Sequence, residues 1–248
     1  MIVCFILAAV DLYENLLKKS SKSTSEKDWV ELWVKPVLEI VSEESVSAMR
    51  VLKTALKFDS TRLIQALVQQ FDETKPNLAL ICLKLDRANG GKNYIKYLNS
   101  VVYPCLNHFE DSTRILALDL IVSSHSSRED FDSTELELIM NSGLPLNMVL
   151  QQSQDRQNMI TVLKKMILRL KSAMTSSSRH KDAAAMENFY EEFVRSLFTH
   201  FGDSIFDGAS FSRRSIALEC LNELGKTFFG EIHCLPQMIY LFFSDSFQ

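Results

Sequence analysis

Glycine and proline are scarce in this chain of 248 residues, which contains seven glycines and five prolines. Seven glycines amount to about 3% of the chain, whereas roughly 7% is usual. Sheets with many tight turns and phosphate-binding loops both need residues that adopt positive φ angles. The scarcity therefore argues against a β-sandwich, a β-barrel or a dinucleotide-binding fold, and it favours helices joined by short connections.

Sequence patterns typical of catalysis and metal binding are also lacking. The five cysteines include no C-x-x-C pair, the five histidines are scattered, and no H-E-x-x-H or G-x-S-x-G motif occurs. Gly90-Gly91-Lys92 lacks the upstream glycine and the following Ser or Thr of a P-loop, so we interpret it as a helix end. We expect no catalytic residue, no metal site and no cofactor. The odd cysteine number indicates reduced thiols and a cytoplasmic protein.

Charge and hydropathy argue against two further classes. The net charge of −4 argues against a chain dominated by nucleic-acid affinity, although a local basic surface remains compatible with it. The apolar start, residues 2–10, lacks the basic region of a secretory signal and has about half the roughly 20 residues that cross a bilayer. We interpret it as part of a buried first helix rather than a targeting peptide, and we expect no membrane insertion.

Apolar residues recur at helical spacing along nearly the whole chain. The pattern predicts helices at roughly 2–19, 26–42, 44–57, 60–72, 76–88, 94–109, 112–124, 133–142, 156–174, 183–201, 212–228 and 234–243. Ser60 and Ser112 are predicted to cap helices, and Pro36 and Pro104 to kink or split theirs. No polar break is long enough to separate domains, so we expect one domain over 1–248.

An internal repeat supports this organisation. Residues 112–121 and 212–221 share the pattern S-x-R-x-[LI]-A-L-[DE]-x-[IL] at an offset of 100 residues, and a weaker copy begins at Asp59. In this pattern serine caps the helix, arginine stays at the solvent edge, and alanine lets a neighbouring helix approach. The predicted fold is all-α, an armadillo/HEAT-like solenoid of stacked helices with a period near 50 residues.

One basic stretch stands out in this acidic chain. Seven cations and no acid occur between residues 156 and 181: Arg156, Lys164, Lys165, Arg169, Lys171, Arg179 and Lys181. On a helical wheel, Lys164, Lys165, Arg169 and Lys171 fall on the arc opposite the apolar residues. The stretch is either the solvated face of an amphipathic helix or a contact surface for phosphate or an acidic partner.

Two segments carry a family resemblance. The first, 154–170, has a polar R-Q turn that leads into L-K-K-M-I-L-R-L, and the second, 208–218, reads G-A-S-F-S-R-R-S-I-A-L. Both are similar to elements of the thyroid adenoma-associated protein family, whose fungal relatives assist a tRNA ribose methyltransferase. The family's R-R-S-A-G-L-P element does not occur in this chain. Because family members are several times longer, 1–248 is expected to be a segment of a longer solenoid.

The resemblance implies a non-catalytic scaffold that binds a 2′-O-ribose methyltransferase and helps it modify the tRNA anticodon loop. We expect the basic residues 156–181, together with Arg213 and Arg214, to contact RNA or that enzyme. The alternative is a protein–protein adaptor solenoid, such as a transport receptor or a membrane-protein regulator, without RNA contact. Neither interpretation includes a small-molecule substrate.

Overall fold

The computed structural model describes residues 11–12, 15–16, 19, 46–69, 71, 76–126, 129–177 and 183–229. Within these residues all regular structure is helical and no β-strand occurs, which confirms the all-α fold class. The α-helices are α1 (Val46–Gln69), α2 (Asn77–Ala88), α3 (Asn93–Lys96), α4 (Tyr103–Leu106), α5 (Asp111–Val122), α6 (Ser133–Leu138), α7 (Ser153–Ser177), α8 (Ala183–Gly202) and α9 (Phe211–Phe229). The helices expected at 26–42 and 234–243, and most of the one at 2–19, lie outside the described residues.

The chain divides into two compact units, Met1–Cys105 and Leu106–Gln248. Each unit has its own buried apolar residues, for example Leu63 and Leu80 in the first and Leu118 and Met166 in the second. The continuous segment expected over 1–248 stays a prediction.

In the first unit, α1 packs against α2. The sequence predicted two helices over 44–57 and 60–72, with Ser60 as a cap, but α1 runs unbroken through Ser60. That prediction is wrong because no glycine or proline interrupts this stretch, and because the buried residues Leu56, Leu63 and Leu67 keep one helical spacing across it.

The helix predicted over 94–109 is split, but the break lies before Pro104 rather than at it. A π-helical turn, Leu98–Val102, separates α3 from α4, and the Val102 amide donates to the Tyr97 carbonyl five residues earlier at 3.3 Å. Since proline has no amide hydrogen, it cannot continue the ordinary i to i−4 ladder. The wider turn is therefore one way for the chain to enter α4.

In the second unit, α7 packs against α5, α8 and α9. Its apolar side, which includes Leu163, Met166 and Leu170, is buried, and a 3₁₀ turn at Pro145–Val149 contacts α9. Helix α7 therefore lies centrally within this unit, and α5 and α9 each bury a face against it.

The repeated segments fall on α5 and α9 and share their inward-facing positions. Ala117 and Ala217 are both fully buried, as are Leu120 and its counterpart Cys220. The small alanines allow the close helix approach that the pattern predicted.

The outward positions of the repeat differ. Leu118 is 0% exposed, whereas its counterpart Leu218 is 55% exposed. Arg114 is buried and donates to the carbonyls of His108 and Phe109, so the prediction that it stays at the solvent edge is wrong, although its counterpart Arg214 is exposed. Helix α5 is thus covered on more of its circumference than α9.

The predicted serine caps of the repeat are also wrong. Helix α5 begins at Asp111 with Glu110 in the capping position and no side-chain cap, and Ser112 is exposed. At α9 the hydroxyl that accepts a first-turn amide belongs to Ser210, two residues before the predicted Ser212. The start of α9 therefore depends on the residues that precede the repeat pattern.

Candidate binding surface

Arg169 lies in the interior, so its predicted place on the outer arc of α7 is wrong. Its side chain is 4% exposed, and its Nη2 lies 3.1 Å from the Glu135 carboxylate. The same guanidinium lies 3.8 Å from the ring centre of Phe131. It donates to four main-chain carbonyls, those of Ile121, Val122, Glu129 and Asp130. Nη1 donates to the last two carbonyls of α5, which have no partner within their helix. Since Nε and Nη2 also have acceptors, Arg169 is not available to RNA or another protein.

Two of the predicted contact lysines form ion pairs between helices. Lys165 Nζ lies 3.0 Å from Asp119 Oδ1, and Lys164 Nζ lies 3.4 Å from Glu223 Oε1. Both lysines remain partly exposed. The lysine ends of both pairs are open to solvent, whereas Asp119 is buried and Glu223 is about one quarter exposed. The positive potential of this surface is therefore reduced by acids on α5 and α9 that the sequence stretch itself does not contain.

The remaining cations of the stretch have different surroundings. Lys171 is exposed. Arg156 Nη1 donates to the Gln151 carbonyl at 2.6 Å, and the contact of its guanidinium with the Phe211 ring places it beside the start of α9. Arg179 and Lys181 lie outside the described residues. The described part of the stretch therefore does not form one continuous cationic surface.

The G-A-S-F motif builds the start of α9. Gly208 has φ of +94°, a conformation that favours glycine, and Ala209 is buried. The Ser210 hydroxyl then accepts a hydrogen bond from the Arg213 amide at 3.3 Å. This entry leaves Phe211, the first residue of the helix, 70% exposed.

The side chains of Arg213 and Arg214 project from α9 in different directions. Arg213 is half-buried near Phe206, with 5.7 Å between the guanidinium carbon and the ring centre, and its buried Nε has no hydrogen-bond partner. Burial lowers the pKa of His200, and the charge of Arg213 lowers it further, whereas Asp203 acts in the opposite direction. Arg214 is exposed. Of the two, Arg214 is the residue that another molecule can reach directly.

The outer side of α9 carries a shallow, open depression formed by residues of this one helix, and the sequence predictions did not include it. We call it the α9 groove; its volume is about 480 Å³ and it is lined by Phe211, Arg214, Ser215, Leu218, Glu219 and Asn222. Arg156 stands at one end, with its guanidinium carbon 5.7 Å from the centre of the Phe211 ring. The repeat alignment hid this groove because it equates Leu218 with the buried Leu118. Phe211, an aromatic residue two positions before the R-R pair, was the sequence signal that pointed to it.

The described residues offer little reactive chemistry. Burial raises the pKa of Cys82 to about 12 and also raises the pKa of Cys220, so both thiols are poor nucleophiles at neutral pH. No cluster of three or more histidine, cysteine or acidic side chains suited to a metal occurs among them. Across the same residues, no helix combines the length and the apolar character that a bilayer span requires.

Comparison with known proteins gives one result. Residues 29–231 match the model of a protein family described as "Trm732, TPR repeats". The description names TPR repeats where we expected an armadillo/HEAT-like type; both are stacks of helix pairs, and the match agrees with the all-α helical-repeat class. No curated protein and no solved structure matches the chain.

Proposed function

The chain belongs to the Trm732 family of TPR-repeat proteins, a family of tRNA methyltransferase auxiliary subunits, and on that premise we propose that it is a non-catalytic scaffold for a 2′-O-ribose methyltransferase. The enzyme supplies the active site, and this chain binds the enzyme and helps it act on the tRNA anticodon loop. The observation that carries the proposal is the family match over 203 of the 248 residues.

The proposal also includes three details taken from the sequence analysis. We propose that the chain is related to the thyroid adenoma-associated proteins, that the anticodon loop is the site of modification, and that the protein acts in the cytoplasm. The proposal further includes a contact with tRNA through Lys164, Lys165 and Lys171, whose ammonium groups lie at the surface of α7.

Reconstitution with purified components tests the scaffold role. The full chain is mixed with the tRNA 2′-O-methyltransferase of the same organism and unmodified tRNA, and ribose methylation is mapped by mass spectrometry of nuclease fragments. The chain should copurify with the enzyme and raise methylation of the anticodon loop about ten-fold or more, equivalent to about 1.4 kcal/mol of transition-state stabilisation. Equal methylation with and without the chain, together with no copurification, would overturn the proposal.

The alternative, an adaptor solenoid without RNA contact, is favoured by one observation. The ion pairs Lys164–Glu223 and Lys165–Asp119 reduce the charge that a phosphate backbone would neutralise. Salt dependence distinguishes the two functions, because release of counterions makes RNA binding fall steeply with ionic strength. Binding of the enzyme but not of tRNA at low salt would favour the adaptor.

A further inference from the structure

The α9 groove has an apolar and an aromatic anchor on one helix face. Phe211 and Leu218 are seven residues apart, about two turns, so both side chains project from the same side of α9. Single exposed apolar residues are common on protein surfaces. Two exposed apolar residues on either side of one depression, however, form a surface against which the apolar side of a partner helix can pack.

The charges at the Phe211 end of the groove are positive, and no described carboxylate pairs with them. Arg156 and Arg214 form no ion pair with a carboxylate among the residues that the structure describes. The first turn of α9 also contains no acidic residue, although the amide dipoles of a helix favour negative charge there. This end of the groove is therefore complementary to a carboxylate.

A protein fits these features better than RNA does. Glu219 also lines the groove, and its carboxylate would repel the evenly spaced phosphates of a nucleic-acid strand. Binding of a single strand typically uses several aromatic side chains for stacking, and Phe211 is the aromatic residue among the described lining residues. Leu218 has no role in binding phosphate, whereas it can pack against an apolar side chain.

We propose that the α9 groove binds an amphipathic helix of a protein partner, with an acidic side chain opposite Arg156 and Arg214 and an apolar side chain against Leu218. The inference rests on the proposed function, in which that partner is the methyltransferase. Aromatic and arginine side chains supply much of the binding energy at such interfaces, so Phe211 and Arg214 are the expected anchors.

Quantitative binding tests this surface with the full chain and the purified methyltransferase of the same organism as the probe. We expect Leu218→Asp and Arg214→Glu each to raise the Kd about ten-fold or more, measured by biolayer interferometry. The loss caused by Arg214→Glu should shrink as salt is added, because screening weakens an exposed charge contact. Circular dichroism and thermal unfolding verify that each variant is folded, and Leu218→Gln is a milder second variant of the apolar position.

Matched controls come from exposed positions outside the groove and outside the proposed tRNA contact. Leu168→Asp introduces the same charge at an exposed apolar position of α7, and Arg195→Glu reverses the charge of an exposed arginine on α8. Both controls should bind the enzyme as the wild type does.

Each contrary outcome has a distinct meaning. Wild-type affinity of the folded groove variants would overturn the groove assignment and leave the scaffold function standing. No binding of the wild-type chain would overturn the scaffold function and the groove assignment with it. Loss of tRNA binding by Arg214→Glu, with enzyme binding intact, would identify an RNA surface and overturn the assignment to a protein helix.

Discussion

The guanidinium of Arg169 lies 3.1 Å from the carboxylate of Glu135, and both side chains are 4% exposed. This buried pair joins α7 to α6, and the remaining donors of Arg169 hold the main chain at the end of α5 and before α6. A charge that was predicted to contact a partner thus stabilises the second unit instead. Such a pair is costly to break, because the remaining charge stays buried without compensation.

Replacement of Arg169 should therefore destabilise the protein strongly. We expect Arg169→Ala to lower the free energy of unfolding by about 3–5 kcal/mol, since it leaves Glu135 and several carbonyls without donors. Urea denaturation followed by circular dichroism measures this loss. Lys171→Ala, at an exposed position of the same helix, should change stability by at most about 0.5 kcal/mol. Equal stability of the two variants would contradict the buried role of Arg169.

The hydroxyl of Tyr190 connects α8 to the segment before α6. It accepts a hydrogen bond from the Phe131 amide at 3.1 Å and donates to Asp130 at 3.3 Å. We expect Tyr190→Phe to cost about 1–3 kcal/mol, because the buried Phe131 amide loses its acceptor. Ser196→Ala, which removes a hydroxyl from the exposed side of α8, is the matched control and should be nearly neutral.

The same hydroxyl has a spectroscopic signature. Burial, as the largest cause, raises the pKa of Tyr190 to about 12. Because the unfolded tyrosine ionises near pH 10, the stability that this group contributes is lost as the pH rises from 10 towards 12. Ultraviolet titration should show one fewer late-ionising tyrosine in Tyr190→Phe than in the wild type.

His200 should make stability depend on pH below neutrality. Its folded-state pKa lies below the ordinary 6.5, mainly because of burial, so the unfolded chain binds the proton first. Stability is therefore complete above pH 6.5 and decreases as the pH falls towards the folded-state pKa. The decrease should be smaller in His200→Gln, as measured by urea denaturation at several pH values. Parallel curves of unfolding free energy against pH for the wild type and His200→Gln would contradict this assignment.

The charge of Arg213 lowers the pKa of His200, so Arg213→Gln should raise it. NMR titration of the imidazole measures this change.

The exposed lysines of α7 give a direct test of tRNA contact. The triple variant Lys164→Glu, Lys165→Glu, Lys171→Glu should weaken tRNA binding about ten-fold or more and make the salt slope shallower, because fewer counterions are released. Filter binding at several salt concentrations measures both quantities. Arg169 is left unchanged, since its reversal would unfold the second unit. An unaltered affinity and slope would exclude these three lysines from a tRNA contact.

The sequence could predict the helical class and several helix bounds because both follow from local chemistry. The scarcity of glycine excluded tight-turn folds, and the apolar period placed α2, α5, α8 and α9 within a few residues of their observed limits. The break before α4 was predicted as well, although a few residues too late, because Pro104 has no amide hydrogen. The family resemblance rested on short motifs in the second unit, whereas the match over 29–231 covers most of the chain and supports the tRNA methyltransferase auxiliary subunit family.

The tertiary structure decided which of the similar side chains are buried. Arg114, Arg169 and Arg214 all lie on amphipathic helices, yet the first two are enclosed and the third is exposed. A helical wheel finds the polar side of a helix but cannot tell whether another helix or loop covers it. Coverage depends on which backbone groups of distant segments need donors, such as the carbonyls of Ile121 and Val122 that Arg169 satisfies. Periodicity and composition determined that this protein is built of helices, and packing between residues far apart in the chain decided which of their surfaces remain to bind another molecule.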